Sequence, residues 1–128
     1  MENIIIETAV KYCEINLIYI FGSYLTGNYN SESDIDIALL SSSKIDKEIL
    51  MRMKLELMEK TGREIDLIDL WESGESVNKE IIFKGKNIYK NSEKIKNEFE
   101  YRKAAVANQY SEDIAIYINR IKERGRVL

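Results

Sequence analysis

The sequence predicts an α/β (α+β) domain: a small mixed sheet flanked by helices, with a helical segment at the C-terminal end. Three observations carry that expectation. Short β-branched and aromatic runs alternate with stretches of helical periodicity. Proline is absent, so nothing in the composition interrupts a long helix. The 128 residues, 45% hydrophobic and 32% charged, are enough for one core and too few for two ordinary ones.

The elements follow in order. Residues 2–14 carry Ile5, Thr8, Ala9 and Tyr12 at helical spacing, which predicts an amphipathic opening helix. Residues 16–21, NLIYIF, are a β-branched and aromatic run halted by Gly22, the pattern of a buried strand ending in a turn. Gly, Asn and Ser dominate residues 22–33, a loop or a short helix entered through Ser23. Residues 34–40, DIDIALL, alternate and then turn fully apolar, as a strand does when one end emerges at a site. A helix over about 46–60 places Ile49, Leu50, Met53, Leu57 and Met58 on one face, with Asp46 to cap its start and Gly62 its end. Residues 64–70, EIDLIDL, give a third strand, 76–84 a short helix closed by Gly85, and 86–90 an edge strand. From Ser92 onward Phe99, Val106, Tyr110, Ile114, Tyr117, Ile118 and Ile121 recur at helical intervals.

No repeat, low-complexity tract or linker divides the chain, so residues 1–128 are expected to form a single domain, with a catalytic core over about 1–90 and a helical tail over about 92–128. The net charge of −3 is unevenly spread: residues 1–43 hold six acids and one base, residues 44–128 sixteen acids and eighteen bases. No stretch approaches the roughly 18 apolar residues that span a bilayer. The N-terminal MENIIIE has acid where a secretory signal carries base, so a cytoplasmic location is expected. The single Cys13 has no disulfide partner and reads as a buried small hydrophobe. With no histidine, Ser-His-Asp and Cys-His nucleophiles, imidazole bases and His-ligated zinc are excluded. Chemistry must run on carboxylates, hydroxyls, amines or metal-bound oxygen.

The informative stretch is Gly22-Ser23, ten residues, then Asp34-Ile35-Asp36. Residues two apart on a strand face the same side, so Asp34 and Asp36 present paired carboxylates. Desolvated like charges repel, and a hard divalent cation, Mg²⁺ or Mn²⁺, removes that objection. Gly22 allows close backbone approach, the Ser23 hydroxyl adds a donor, and a helix starting there would hold phosphate oxygens. Phosphate grip beside metal-binding carboxylates suits phosphoryl or nucleotidyl transfer.

These residues resemble the nucleotidyltransferase superfamily that includes DNA polymerase β, whose signature is Gly-Ser, a spacer, Asp-x-Asp and a third acid on a later strand. FGSYLTGNYNSESDIDIALL looks like the minimal nucleotidyltransferase (MNT) domains of prokaryotes. The size and the tail element Tyr110-Ser111-Glu112-Asp113 are similar to antitoxins of HEPN/MNT toxin–antitoxin pairs. The resemblance implies a polymerase β-like fold and transfer of AMP from ATP to a tyrosine of a HEPN ribonuclease toxin, in a hetero-oligomer with it. Carried over by position, Gly22 and Ser23 would hold the triphosphate, Asp34 and Asp36 the metals, and Asp66 would be the third carboxylate, binding one metal and helping to deprotonate the attacking hydroxyl. Asp69 competes with Asp66 but faces the other way by alternation.

One departure stands out: residues 22–27 are GSYLTG, without the two arginines of a Gly-Ser-Arg-Ala-Arg-Gly turn, which removes charge that steadies phosphate. Two other readings stay open. One keeps the fold and neutralises a toxin by binding alone; the other transfers nucleotide to a small molecule of the aminoglycoside type. Direct nucleic-acid binding is not expected from the negative charge and the lack of a recognised module. The band Lys79, Lys84, Lys86, Lys90, Lys94 and Lys96 is read as a solvated surface, with approach to ATP or an acidic partner as the functional alternative. Trp71 is expected to pack. Tyr24 and Tyr29, in the loop beside the site, are the tyrosines placed for self-modification.

Overall fold

A computed structural model describes residues 1–22 and 34–107. The order is α1 (Glu2–Tyr12), β1 (Ile15–Phe21), β2 (Ile35–Ser41), α2 (Lys47–Thr61), β3 (Ile65–Asp69), α3 (Glu75–Lys84), β4 (Lys86–Lys90) and α4 (Glu93–Ala107). The predicted 22–33 loop beyond Gly22, with Ser23, Tyr24 and Tyr29, and the tail beyond 107, with Tyr110 to Asp113, lie outside the described residues.

The four strands form one mixed sheet in the order β3-β2-β1-β4. β1 is antiparallel to both β2 and β4, while β2 and β3 run parallel and are joined by α2, the crossover a parallel pair requires. Helices cover both faces. Against one, α1 and α2 bury Ile5, Ala9, Met53 and Leu57 on Ile18, Ile20, Ile35, Ile37 and Leu39. On the other, α3 and α4 bring Ile81 and Phe99 onto Leu17, Tyr19, Phe21, Ala38, Leu40 and Leu70. A strand covered on both sides reads as an unbroken apolar run, and this is why β1 shows no alternation.

The helix boundaries follow their caps. Asp46 accepts from the Glu48 N–H at 2.9 Å to open α2, and Gly62 closes it in the left-handed region at φ 69°. β2 begins one residue later than the sequence suggests and takes in Ser41, leaving Asp34 exposed just before the strand.

Three expectations need correction. Lys96 is no surface lysine: it is buried on α4 and pairs with Glu100 at 3.4 Å, while Lys86 pairs with Glu2 and Lys90 with Glu93, so no continuous basic band forms. Trp71 leaves 56% of its surface exposed although its indole N–H donates to the Ser41 carbonyl at 2.8 Å. Cys13 is half-buried rather than fully buried, and burial together with the Asp69 charge pushes its thiol up, away from thiolate reactivity.

Candidate active site

β1 leaves the sheet at Phe21, directly opposite Asp36 at the start of β2, and the chain turns at Gly22. Gly22 has φ 81°, and a Cβ placed on it would fall on the Asp36 Oδ2 and within 3.2 Å of its Cγ. Only glycine fits there, for two separate reasons: the left-handed backbone and the carboxylate lying against it. Gly22 and Asp36 are therefore packed against each other at a single end of the sheet.

Asp66 stands on β3 in register with Asp36 on β2, and in a parallel pair residues in register share a face. That face is the one under α3 and α4, as the alternation Asp36, Ala38, Leu40 and Asp66, Ile68, Leu70 requires. Asp36 is half-buried, whereas Asp34 and Asp66 are exposed. Burial holds the Asp36 carboxyl above the usual carboxylate range, and the charges of Asp66, Asp34 and Glu80 push it further. Glu80, on α3, has no signature in the sequence: only the packing of α3 on the sheet brings its charge to Asp36.

Asp69 faces the opposite side and is 4% exposed. Its Oδ2 accepts from the Ile45 N–H at 2.8 Å and its Oδ1 from the Trp71 N–H at 2.9 Å, so both oxygens fasten the loops that follow β2 and β3. The geometry separates the two aspartates of EIDLIDL cleanly, one beside Asp36 and one structural.

Among the described residues the charged donors at this end are the carboxylates of Asp34, Asp36 and Asp66, which suit a hard divalent cation, and the like-charge repulsion on Asp36 is what such an ion relieves. The fit lies in that chemistry and in the Asp36–Asp66 register. Among the described residues no three acids are drawn together into a closed ligand group. Ser23 lies outside the described residues.

Over 76 residues the chain is 30% identical to the protein adenylyltransferase MntA of Shewanella oneidensis, a stretch covering 59% of this chain and 55% of that protein; the chain thus spans about half the length of the curated relative it matches. A crystal structure of a toxin–antitoxin with AMP-PNP superposes with a TM-score of 0.74 at 25% identity, covering 98% of this chain and 94% of that one. The structure of the tri-AMPylated Shewanella oneidensis HEPN toxin in complex with MNT antitoxin shares the fold, with a TM-score of 0.63 at 21% identity over 99% and 95% of the two chains. Among the described residues, no helix is long and apolar enough to cross a membrane. The polymerase β nucleotidyltransferase family matches residues 3–94, which take in all four strands, and the chain belongs to that family.

Proposed function

We propose that this protein is an antitoxin adenylyltransferase that moves AMP from ATP onto a tyrosine of a partner HEPN ribonuclease and thereby silences it. The observation that carries the reading is the Asp36–Asp66 pair, in register on adjacent strands, with Gly22 seated against the Asp36 carboxylate. The relative named a protein adenylyltransferase and the toxin–antitoxin structure with AMP-PNP support the choice of reaction and nucleotide. ATP as donor implies a cytoplasmic protein, working in a hetero-oligomer with its toxin.

In this reading Asp34, Asp36 and Asp66 would hold Mg²⁺, with Mn²⁺ as a substitute, and Gly22 and Ser23 would grip the triphosphate. When bound, the metal supplies positive charge against the phosphate oxygens. The chain's own residues do the remainder. Gly22 keeps side-chain bulk away from Asp36 and lets backbone approach the phosphates. Asp66, exposed at the strand edge, takes the proton of the attacking tyrosine hydroxyl. The tyrosine oxygen bonds to the α-phosphorus, the bond from that phosphorus to the bridging oxygen breaks, and pyrophosphate leaves with the electron pair.

The test is to mix the protein with a cognate HEPN toxin, ATP and Mg²⁺, and weigh the toxin by mass spectrometry. The toxin should gain AMP, and Asp36→Ala should abolish the gain; undiminished transfer by Asp36→Ala overturns the assignment. Protection of cells by an Asp34→Ala, Asp36→Ala double variant would instead assign neutralisation to binding alone.

A further inference from the structure

At the far ends of β2 and β3 from Asp36, beneath α4, lies a cavity of about 170 Å³ floored by Leu40, Leu70 and Phe99 and walled by Trp71. We propose that this cavity seats the acceptor protein, taking from it one aromatic or long aliphatic side chain flanked by a carboxylate. The identity of the partner rests on the adenylyl-transfer reading; the chemistry of the seat does not.

Size decides the class of occupant. Small-molecule sites run to roughly 300–1,000 Å³, so the hollow is too small to enclose a nucleotide, whereas about 150 Å³ of apolar space accommodates a benzene ring. One side chain fills it. The wall is also pre-organised. Trp71 is more than half exposed, yet its indole N–H is held by the Ser41 carbonyl and its backbone N–H by Asp69, a buried acid that also fastens Ile45. An exposed ring fixed in this way presents a rigid face at little entropic cost on binding. The lip is electropositive: α4 contributes Arg102 and Lys103 against the single acid Glu98, which complements a carboxylate beside the anchor. Tryptophan and arginine around a small pocket are the residue types that dominate protein–protein binding energy.

Position supports the same partner. Leu40 is four residues along β2 from Asp36 on the same face, about 13 Å at strand spacing. A folded protein anchored in the cavity covers that distance and can offer a hydroxyl at the carboxylates.

Trp71 is the chain's single tryptophan, so fluorotryptophan labelling gives one fluorine NMR signal at the site. Adding the HEPN partner should shift that signal. Trp71→Ala and the surface variant Arg102→Glu should each raise the KM for the partner roughly tenfold or more, with kcat and the KM for ATP unchanged. An unmoved signal in the presence of a formed complex, or partner KM values within twofold for Arg102→Glu, overturns the proposal; a shift produced by ATP alone assigns the cavity to nucleotide and overturns it too. Where the complex forms but no AMP is transferred, the adenylyl-transfer reading fails while the signal still decides the docking site.

Discussion

Gly22 bears two constraints that can be measured apart. Its φ of 81° disfavours any L side chain, and the Asp36 carboxylate occupies the space a Cβ would need. Gly62 bears only the first, with φ 69° and nothing within 4 Å of a built Cβ. Gly62→Ala should therefore lower stability by roughly 1 kcal/mol, and Gly22→Ala by that amount plus about 1–3 kcal/mol of overpacking. In an Asp36→Ala background the Gly22 penalty should fall to the Gly62 value; equal urea midpoints for the two single variants would show that the carboxylate is not the obstacle. Asp36 has a pH signature as well. Its folded-state pKa is raised, so its charged form is disfavoured in the native protein, and stability declines as pH rises from the ordinary aspartate value through the raised one. Asp36→Asn should remove that decline and gain stability near neutral pH but not in acid. The sequence pattern identifies Gly22, Asp34, Asp36 and Asp66 as candidates because the spacing is family-specific, and alternation alone puts Asp69 on the opposite face. The pressing of Asp36 against Gly22 and the charge of Glu80 are tertiary facts with no local pattern to betray them.

Two side-chain clusters bind helices to their neighbours. Lys11 on α1 and Lys60 on α2 converge on Glu56, which also accepts from the Tyr12 hydroxyl at 2.6 Å. The Lys11, Lys60 and Tyr12 hydrogen bonds hold the Glu56 carboxyl at about 2. A depressed folded-state pKa means the clasp stabilises above the ordinary glutamate range and is lost as pH falls toward 2. Glu56→Gln should flatten that acid limb of the stability curve, as read by denaturant unfolding at stepped pH, while an unchanged limb would assign it elsewhere. On the other face Glu100 of α4 accepts from the buried Tyr19 hydroxyl of β1 and pairs with the buried Lys96. Removing one member of a buried pair strands the other, so Glu100→Ala should cost about 3 kcal/mol, with a large part regained in the Lys96→Met, Glu100→Leu double variant. The element order is legible in the sequence from period and caps, Asp46 and Gly62 above all. Lys96 was not, because a lysine at an inward helical position is distinguishable from a surface lysine only once its buried partner is known.

For the molecule as a whole, the mixed sheet with its helices is readable because β1, β2 and the helices announce themselves by pattern, while the order β3-β2-β1-β4 has no local pattern, a helix-joined parallel pair accounting only for β2 beside β3. What pattern does not convey is which end of the sheet stays open and which face each end addresses. The carboxylates occupy the end where β1 exits, on the face that α3 and α4 cover, and the Trp71 cavity lies beneath α4 at the end where β2 and β3 finish. One helical layer therefore borders both sites, while α1 and α2 on the opposite face serve the core. A cation bound by Asp34, Asp36 and Asp66 would relieve native-state repulsion that the unfolded chain does not feel, and ligands that prefer the native state stabilise it by mass action. At a hundredfold excess over its dissociation constant the gain is about 2.7 kcal/mol. Thermal unfolding should accordingly shift upward on titration with Mg²⁺ or Mn²⁺ in the unsubstituted protein, and the shift should vanish in Asp36→Ala and shrink in Asp66→Asn. Glu56→Gln, on the far face, should retain it in full; an equal shift in Asp36→Ala would mean that the ion binds elsewhere and that these carboxylates are not its ligands.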